Sequence, residues 1–102
     1  MAAQLNIAAL NACALTHRDE IRSRLVMRDG RVTSEVQALN RAVRARFDLH
    51  VTLGPTGRWS AASDVDHAEG RGVVELVMHL GQVDQARAAS FVVRLLPHEA
   101  AP

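Results

Sequence analysis

Apolar positions along the 102-residue chain recur with two different periods, and those periods divide it into predicted helices and strands. Residues 2–15, AAQLNIAALNACAL, are dominated by Ala and Leu and predict a helix. The alternation of Leu5, Ile7 and Ala9 admits a strand there as well. A helix apolar on most sides must be buried. In a chain this short, that makes Leu5, Ile7 and Leu10 candidates for contact with a second copy.

The stretch LVMRDGRVTSEV, Leu25 to Val36, supports two structures. Asp29-Gly30 between alternating residues predicts a β-hairpin over 20–36. A two-residue turn would pair Arg28 with Arg31, Met27 with Val32 and Leu25 with Ser34, giving one mostly apolar face. Its other face would join Val26 to Thr33 and Arg24 to Glu35, an opposite-charge pair. The alternative is a helix over 16–28 opened by Thr16-x-x-Asp19, with Ile21 and Leu25 as its core anchors. Ser34-x-x-Gln37 would then be a capping box opening a second helix, as in a helix-turn-helix. The period-2 pattern of IRSRLVMR favours the hairpin. Either way, Val36, Leu39, Val43 and Phe47 fall at helical spacing and predict a helix over 34–47.

Beyond it, Leu49, Val51 and Leu53 alternate around His50 and Thr52, which predicts a strand. Gly54-Pro55-Thr56-Gly57 is a turn sequence, so a return strand begins at Trp59. GVVELVMHLG and SFVVRLL then read as two more strands, around 73–80 and 90–96. One register sets Met78 against Phe91, Leu76 against Val93 and Val74 against Leu95, with Glu75 opposite Arg94 on the other face. The expected architecture is a single α+β domain over 1–102. It has a mainly antiparallel curved sheet in the order α-β-β-α-β-β-β-β, one or two helices packed on one face, and a flexible tail over 97–102. This order of elements resembles the cone-shaped folds related to nuclear transport factor 2 and ketosteroid isomerase. The resemblance implies a small cofactor-free enzyme and assigns no residue a role.

Composition narrows the functional classes. The net charge is +1, too small for a broad pull toward nucleic acid or an anionic membrane. All 12 basic residues are Arg. The chain has no Tyr, two Phe and one Trp, too few aromatic rings for a base-stacking platform. No apolar run approaches the roughly 20 residues of a membrane span. The first residues lack a basic start, and Asn6 and Asn11 interrupt their apolar run, so no secretory leader is expected. The lone Cys13, flanked by Ala12 and Ala14, fits a reducing cytoplasm and an inert buried thiol.

Candidate chemistry gathers in three places. SDVDHAEGRG places Asp64, Asp66, His67 and Glu69 close together, as a divalent cation would require. The EF-hand pattern nevertheless fails at Ala68 and Glu69, and a solvated surface loop accounts for the same residues. His50 and His79, expected on strands opposite the apolar face, are the candidates for proton transfer beside Glu75 and Arg94. Arg41, Arg44 and Arg46 on helix 34–47 are the candidates for phosphate contact in the helix-turn-helix reading. There is no H-E-x-x-H, zinc-spaced Cys/His pair, phosphate-binding Gly loop or G-x-S-x-G elbow.

The expectation is therefore a small cytoplasmic binding or accessory module without a catalytic constellation or cofactor. It is expected to be homodimeric, with a protein partner or a small apolar ligand. A winged-helix-like DNA-binding protein is the alternative, and the cone-shaped enzyme the second.

Overall fold

The computed structural model describes residues 6–40, 49–63 and 67–96. Among the described residues eight elements follow one another: α1 (Ile7–Leu15), α2 (Arg18–Leu25), α3 (Ser34–Gln37), β1 (His50–Leu53), β2 (Arg58–Ala62), β3 (His67–Arg71), α4 (Val73–Gly81) and α5 (Gln85–Leu95). The fold is α+β with one antiparallel three-stranded sheet in the order β1-β2-β3. It is not the four-stranded run expected above, and the cone-shaped outline goes with it. No helix among the described residues is long and apolar enough to cross a membrane.

Helix α1 starts at Asn6, whose side chain accepts a hydrogen bond from the Ala9 N–H at 3.1 Å, an N-cap. Its inward residues Leu10 and Ala14 are buried, and it packs on α4 and α5 of its own chain. The opening ambiguity resolves as a mixture. Residues 18–25 form a helix buried through Ile21 and Leu25, as the helical alternative required. The turn after it is real but shorter than a hairpin, a single antiparallel bridge between Val26 and Val32.

That register differs by one residue from the expected pairing. The loop holds three residues, Arg28-Asp29-Gly30, with Gly30 left-handed at φ 85°; the Met27 N–H donates to Arg31 O at 2.7 Å. A one-residue slip exchanges the faces. Val26 and Val32 are therefore the buried pair, and Met27 stands out in solvent at 50% exposure. Arg24 and Glu35 do meet, at 2.8 Å, but between α2 and α3 rather than across strands.

Helix α3 begins at Ser34, with Thr33 as its N-cap residue, so the expected capping box does not form. Gln37 instead donates its side-chain amide to Val32 O at 2.8 Å. The helix ends at Gln37 and not at residue 47. Leu39 and Asn40 close a tighter turn through i−3 hydrogen bonds. Asn40 is tethered by its side-chain amide to Gln82 O at 2.9 Å. Residues 41–48 lie outside the described residues, and so does the 97–102 tail.

β1 and β2 follow the expected path. The Gly54–Gly57 turn closes through Gly57 N–H to Gly54 O at 3.0 Å. Val51, Leu53, Trp59 and Ala61 face the core, while His50, Thr52 and Arg58 face outward. β3 is a strand where a loop was expected.

The largest correction is at the C-terminus. Both expected strands are helices, packed on each other as a helical hairpin. A strand would divide Val73, Glu75 and Val77 from Val74, Leu76 and Leu80. Instead Val73, Val74, Leu76, Val77 and Leu80 are all buried and Glu75 is exposed, the i, i+1, i+3, i+4, i+7 set of one helix face. In α5 the buried set Ala88, Ala89, Phe91, Val92 and Leu95 has the same logic, and Asp84 caps its start by accepting from Arg87 N–H at 2.9 Å. The Glu75–Arg94 pair does not form; the Arg94 guanidinium lies over Phe91, 5.7 Å from the ring centre.

Helix α4 starts at Gly72, which has no side chain to cap it. The cap comes from α1. Asn11, 63 residues away in sequence, accepts from Val74 N–H through Oδ1 at 2.9 Å. A polar residue inside an apolar helix thus satisfies one of the orphan donors at another helix's start. One continuous hydrophobic core joins the helices to the sheet's inner face.

Candidate functional site: a depression over a buried tryptophan

The residues singled out in the sequence are not brought together. His50 sits on the outward face of β1, opposite Ala62, whereas His79 belongs to α4 and stacks on Trp59 beneath the sheet's inner face. The sheet separates them, so they share no surface for proton transfer. His67 and Glu69 alternate along the outer face of β3, with His67 Nε2 and Glu69 Oε1 3.6 Å apart. Among the described residues no three His, Cys, Asp or Glu side chains converge as a metal site requires. Asp64 and Asp66 lie outside the described residues, as do Arg41, Arg44, Arg46 and Leu5. Ile7 is half-buried and Leu10 buried, both against the chain's own core.

What the fold does assemble is a depression of about 380 Å³ between β2, β3 and α4. Trp59, Ala68, Glu69, Glu75, Met78 and His79 line it, with Gln82 and Val83 at one end. Trp59 is the floor. It is 3% exposed, and its ring stacks on His79 with centroids 5.5 Å apart at 27°, a contact worth about 0.5–1.5 kcal/mol beyond burial for an aromatic pair.

Gly70 makes this floor fit. It is the cross-strand partner of Trp59 on β3. A side-chain carbon at Gly70 would fall within 2.7 Å of Trp59 Cζ2, Trp59 Cε2 and Glu75 Oε1. With no side chain there, the indole edge lies flat over β3 and the Glu75 carboxylate comes down beside it. Glu75 and His79 are one turn apart on α4, so the helix presents carboxylate and imidazole together above the indole. Glu75 Oε1 also accepts from the Arg71 N–H at 3.4 Å.

The indole nitrogen of Trp59 is buried and has no hydrogen-bond partner among the described residues. A buried donor left unpaired costs about 1–3 kcal/mol, and native interiors rarely tolerate one. Trp59 also lines the depression, so this buried donor belongs to a residue of the candidate site. The carboxylate of Glu75, a buried N–H and the apolar surface of Met78, Ala68 and Val83 suit a ligand with an acceptor, a donor and an apolar part.

Sequence reasoning missed this site because it depends on α4 being a helix and β3 a strand. The only signal was Trp59 itself, the one large aromatic ring with a polar atom that needs a partner. Comparison with protein-family models, with curated proteins and with solved structures gives no match to this chain.

Proposed function

We propose that this chain is a small cytoplasmic binding module, an accessory protein that receives a peptide segment of a partner protein in the depression over Trp59. The observation that carries this reading is that Trp59, which lines the depression, has a buried indole N–H without a hydrogen-bond partner among the described residues. A peptide group offers a carbonyl to accept from that N–H and an N–H to donate to the Glu75 carboxylate. An apolar side chain beside it would rest on Met78 and Val83. The cytoplasmic assignment rests on Cys13, a half-buried thiol with no second cysteine in the sequence.

Self-association through α1 has less support, because Leu10 and Ala14 are already covered within the chain. The DNA-binding alternative loses its long helix over 34–47 and keeps only the three arginines beyond Asn40.

Trp59 is the only tryptophan, so its fluorescence reports on this depression alone. The test is a titration with N-acetyl-leucine-N-methylamide, a single apolar residue flanked by two peptide groups. The expected result is a saturable change in Trp59 emission, absent for free leucine side-chain analogues and weakened several-fold by Glu75→Gln. A change that rises linearly without saturation overturns the proposal.

A further inference from the structure

A second concave site lies along β1, away from Trp59. It is a cleft of about 280 Å³ between the C-terminal half of α2, the turn at 27–30 and the strand. Arg22, Arg28 and His50 are among the residues that line it, together with Met27 and Thr52. The turn is fastened to the strand's entry by the Leu49 N–H, which donates to Gly30 O at 2.9 Å, so the walls are held at a fixed separation.

The arginines of this region divide into two groups. Arg24 is paired with Glu35 at 2.8 Å and Arg31 with Asp29 at 2.7 Å. Arg22 and Arg28 have no carboxylate partner among the described residues. Among the described residues that line the cleft, Asp29 is the acidic one. Its two oxygens are engaged by the Arg31 guanidinium and the Arg31 N–H, so it does not neutralise the other two arginines. Two arginines without a carboxylate partner among the described residues, and a histidine, therefore line the same cleft as Met27, which is half exposed.

We infer that this cleft binds the phosphate group of a small organic phosphate ester, with the ester's apolar body against Met27. A phosphate monoester is close to a dianion at neutral pH and carries three acceptor oxygens. Two guanidinium forks and one ring N–H match that charge and those acceptors, whereas a carboxylate would need only one fork. The concave shape fits a small molecule rather than the convex backbone of a duplex.

The test is calorimetric titration of the full chain with phenyl phosphate, inorganic phosphate and a short DNA duplex in parallel. Phenyl phosphate is expected to bind saturably and more tightly than inorganic phosphate. Arg22→Gln and Arg28→Gln should each weaken it about tenfold, the scale of one charge-assisted hydrogen bond. Neither exposed substitution should move the melting temperature, and Arg94→Gln, on α5, should leave binding unchanged. Any of four results overturns the inference: no saturable binding of phenyl phosphate, equal affinity for both phosphates, equal weakening by Arg94→Gln, or binding of the duplex without phenyl phosphate.

Discussion

The two concave sites are built from opposite materials. The depression over Trp59 has core residues for its floor, and its geometry depends on a glycine, a cross-strand register and a helix face all meeting. The cleft beside β1 has its charged residues, Arg22, Arg28 and His50, on exposed positions of a helix, a turn and a strand edge, around the buried Val26, Leu49 and Val51. At the first site, the floor of the depression is also part of the hydrophobic core, so substitutions there will change stability. At the second, charge can be removed while the fold stays as it is. The unpaired indole N–H shows the consequence. It is tolerated at a net cost because it sits in a well-packed ring whose burial outweighs it by several kcal/mol.

That difference can be broken most forcefully at Trp59. Trp59→Ala should cost about 3–5 kcal/mol in chemical denaturation, the range for emptying a buried aromatic site. Trp59→Phe should cost less than half as much, because losing the indole also removes the orphaned donor. Equal losses for the two would mean that the N–H is satisfied in solution.

Gly70→Ala comes next, with about 1–3 kcal/mol expected from overpacking. Glu75 can swing away from the new methyl group, but the Trp59 ring, enclosed on its other face by His79, cannot. A shift in Trp59 emission should accompany the loss, whereas an unchanged spectrum would mean that the indole does not lie over β3.

Asn11→Ala should cost about 1–2 kcal/mol through the lost cap on α4. In hydrogen exchange the loss should appear as faster exchange at the first turn of α4, although the substitution is made in α1.

The smallest effect belongs to the turn beside the second cleft. The side-chain hydrogen bond from Arg31 holds the Asp29 carboxyl below its ordinary value of 3.8, with the Arg31 backbone N–H acting in the same direction. A group whose pKa is lower in the folded state stabilises the fold above its unfolded pKa and loses that contribution as pH falls through the folded one. The Asp29 contribution is therefore complete above about pH 4 and fades below it. Asp29→Asn should flatten only that acidic limb of the stability curve.

Where the sequence was legible, short-range chemistry decided the outcome. Gly54-Pro55-Thr56-Gly57 turned the chain as expected, the Ala-rich start became a helix over the residues described, and Arg24 found Glu35. Asp29-Gly30 marked a turn correctly. Yet the same dipeptide serves a three-residue loop as well as a two-residue one, and the register moved by one. The C-terminal segments were illegible to alternation because Val73–Leu80 is apolar at positions that satisfy both periods, with Glu75 its only charged residue. The Asp84 cap before the helix-favouring QARAAS was the local signal that pointed the other way. The depression over Trp59 needed three such assignments at once, and no short-range pattern joins Trp59, Gly70 and Glu75.

In the proposed complex the Trp59 indole N–H, which has no acceptor among the described residues of the free chain, gains one from a peptide group. Proton–nitrogen correlation spectroscopy of the single indole N–H tests it directly. The free chain is expected to show one resonance at the upfield, non-hydrogen-bonded end of the indole range, moving downfield as N-acetyl-leucine-N-methylamide saturates the site. A resonance already downfield in the free protein, and unmoved by the peptide, would contradict it.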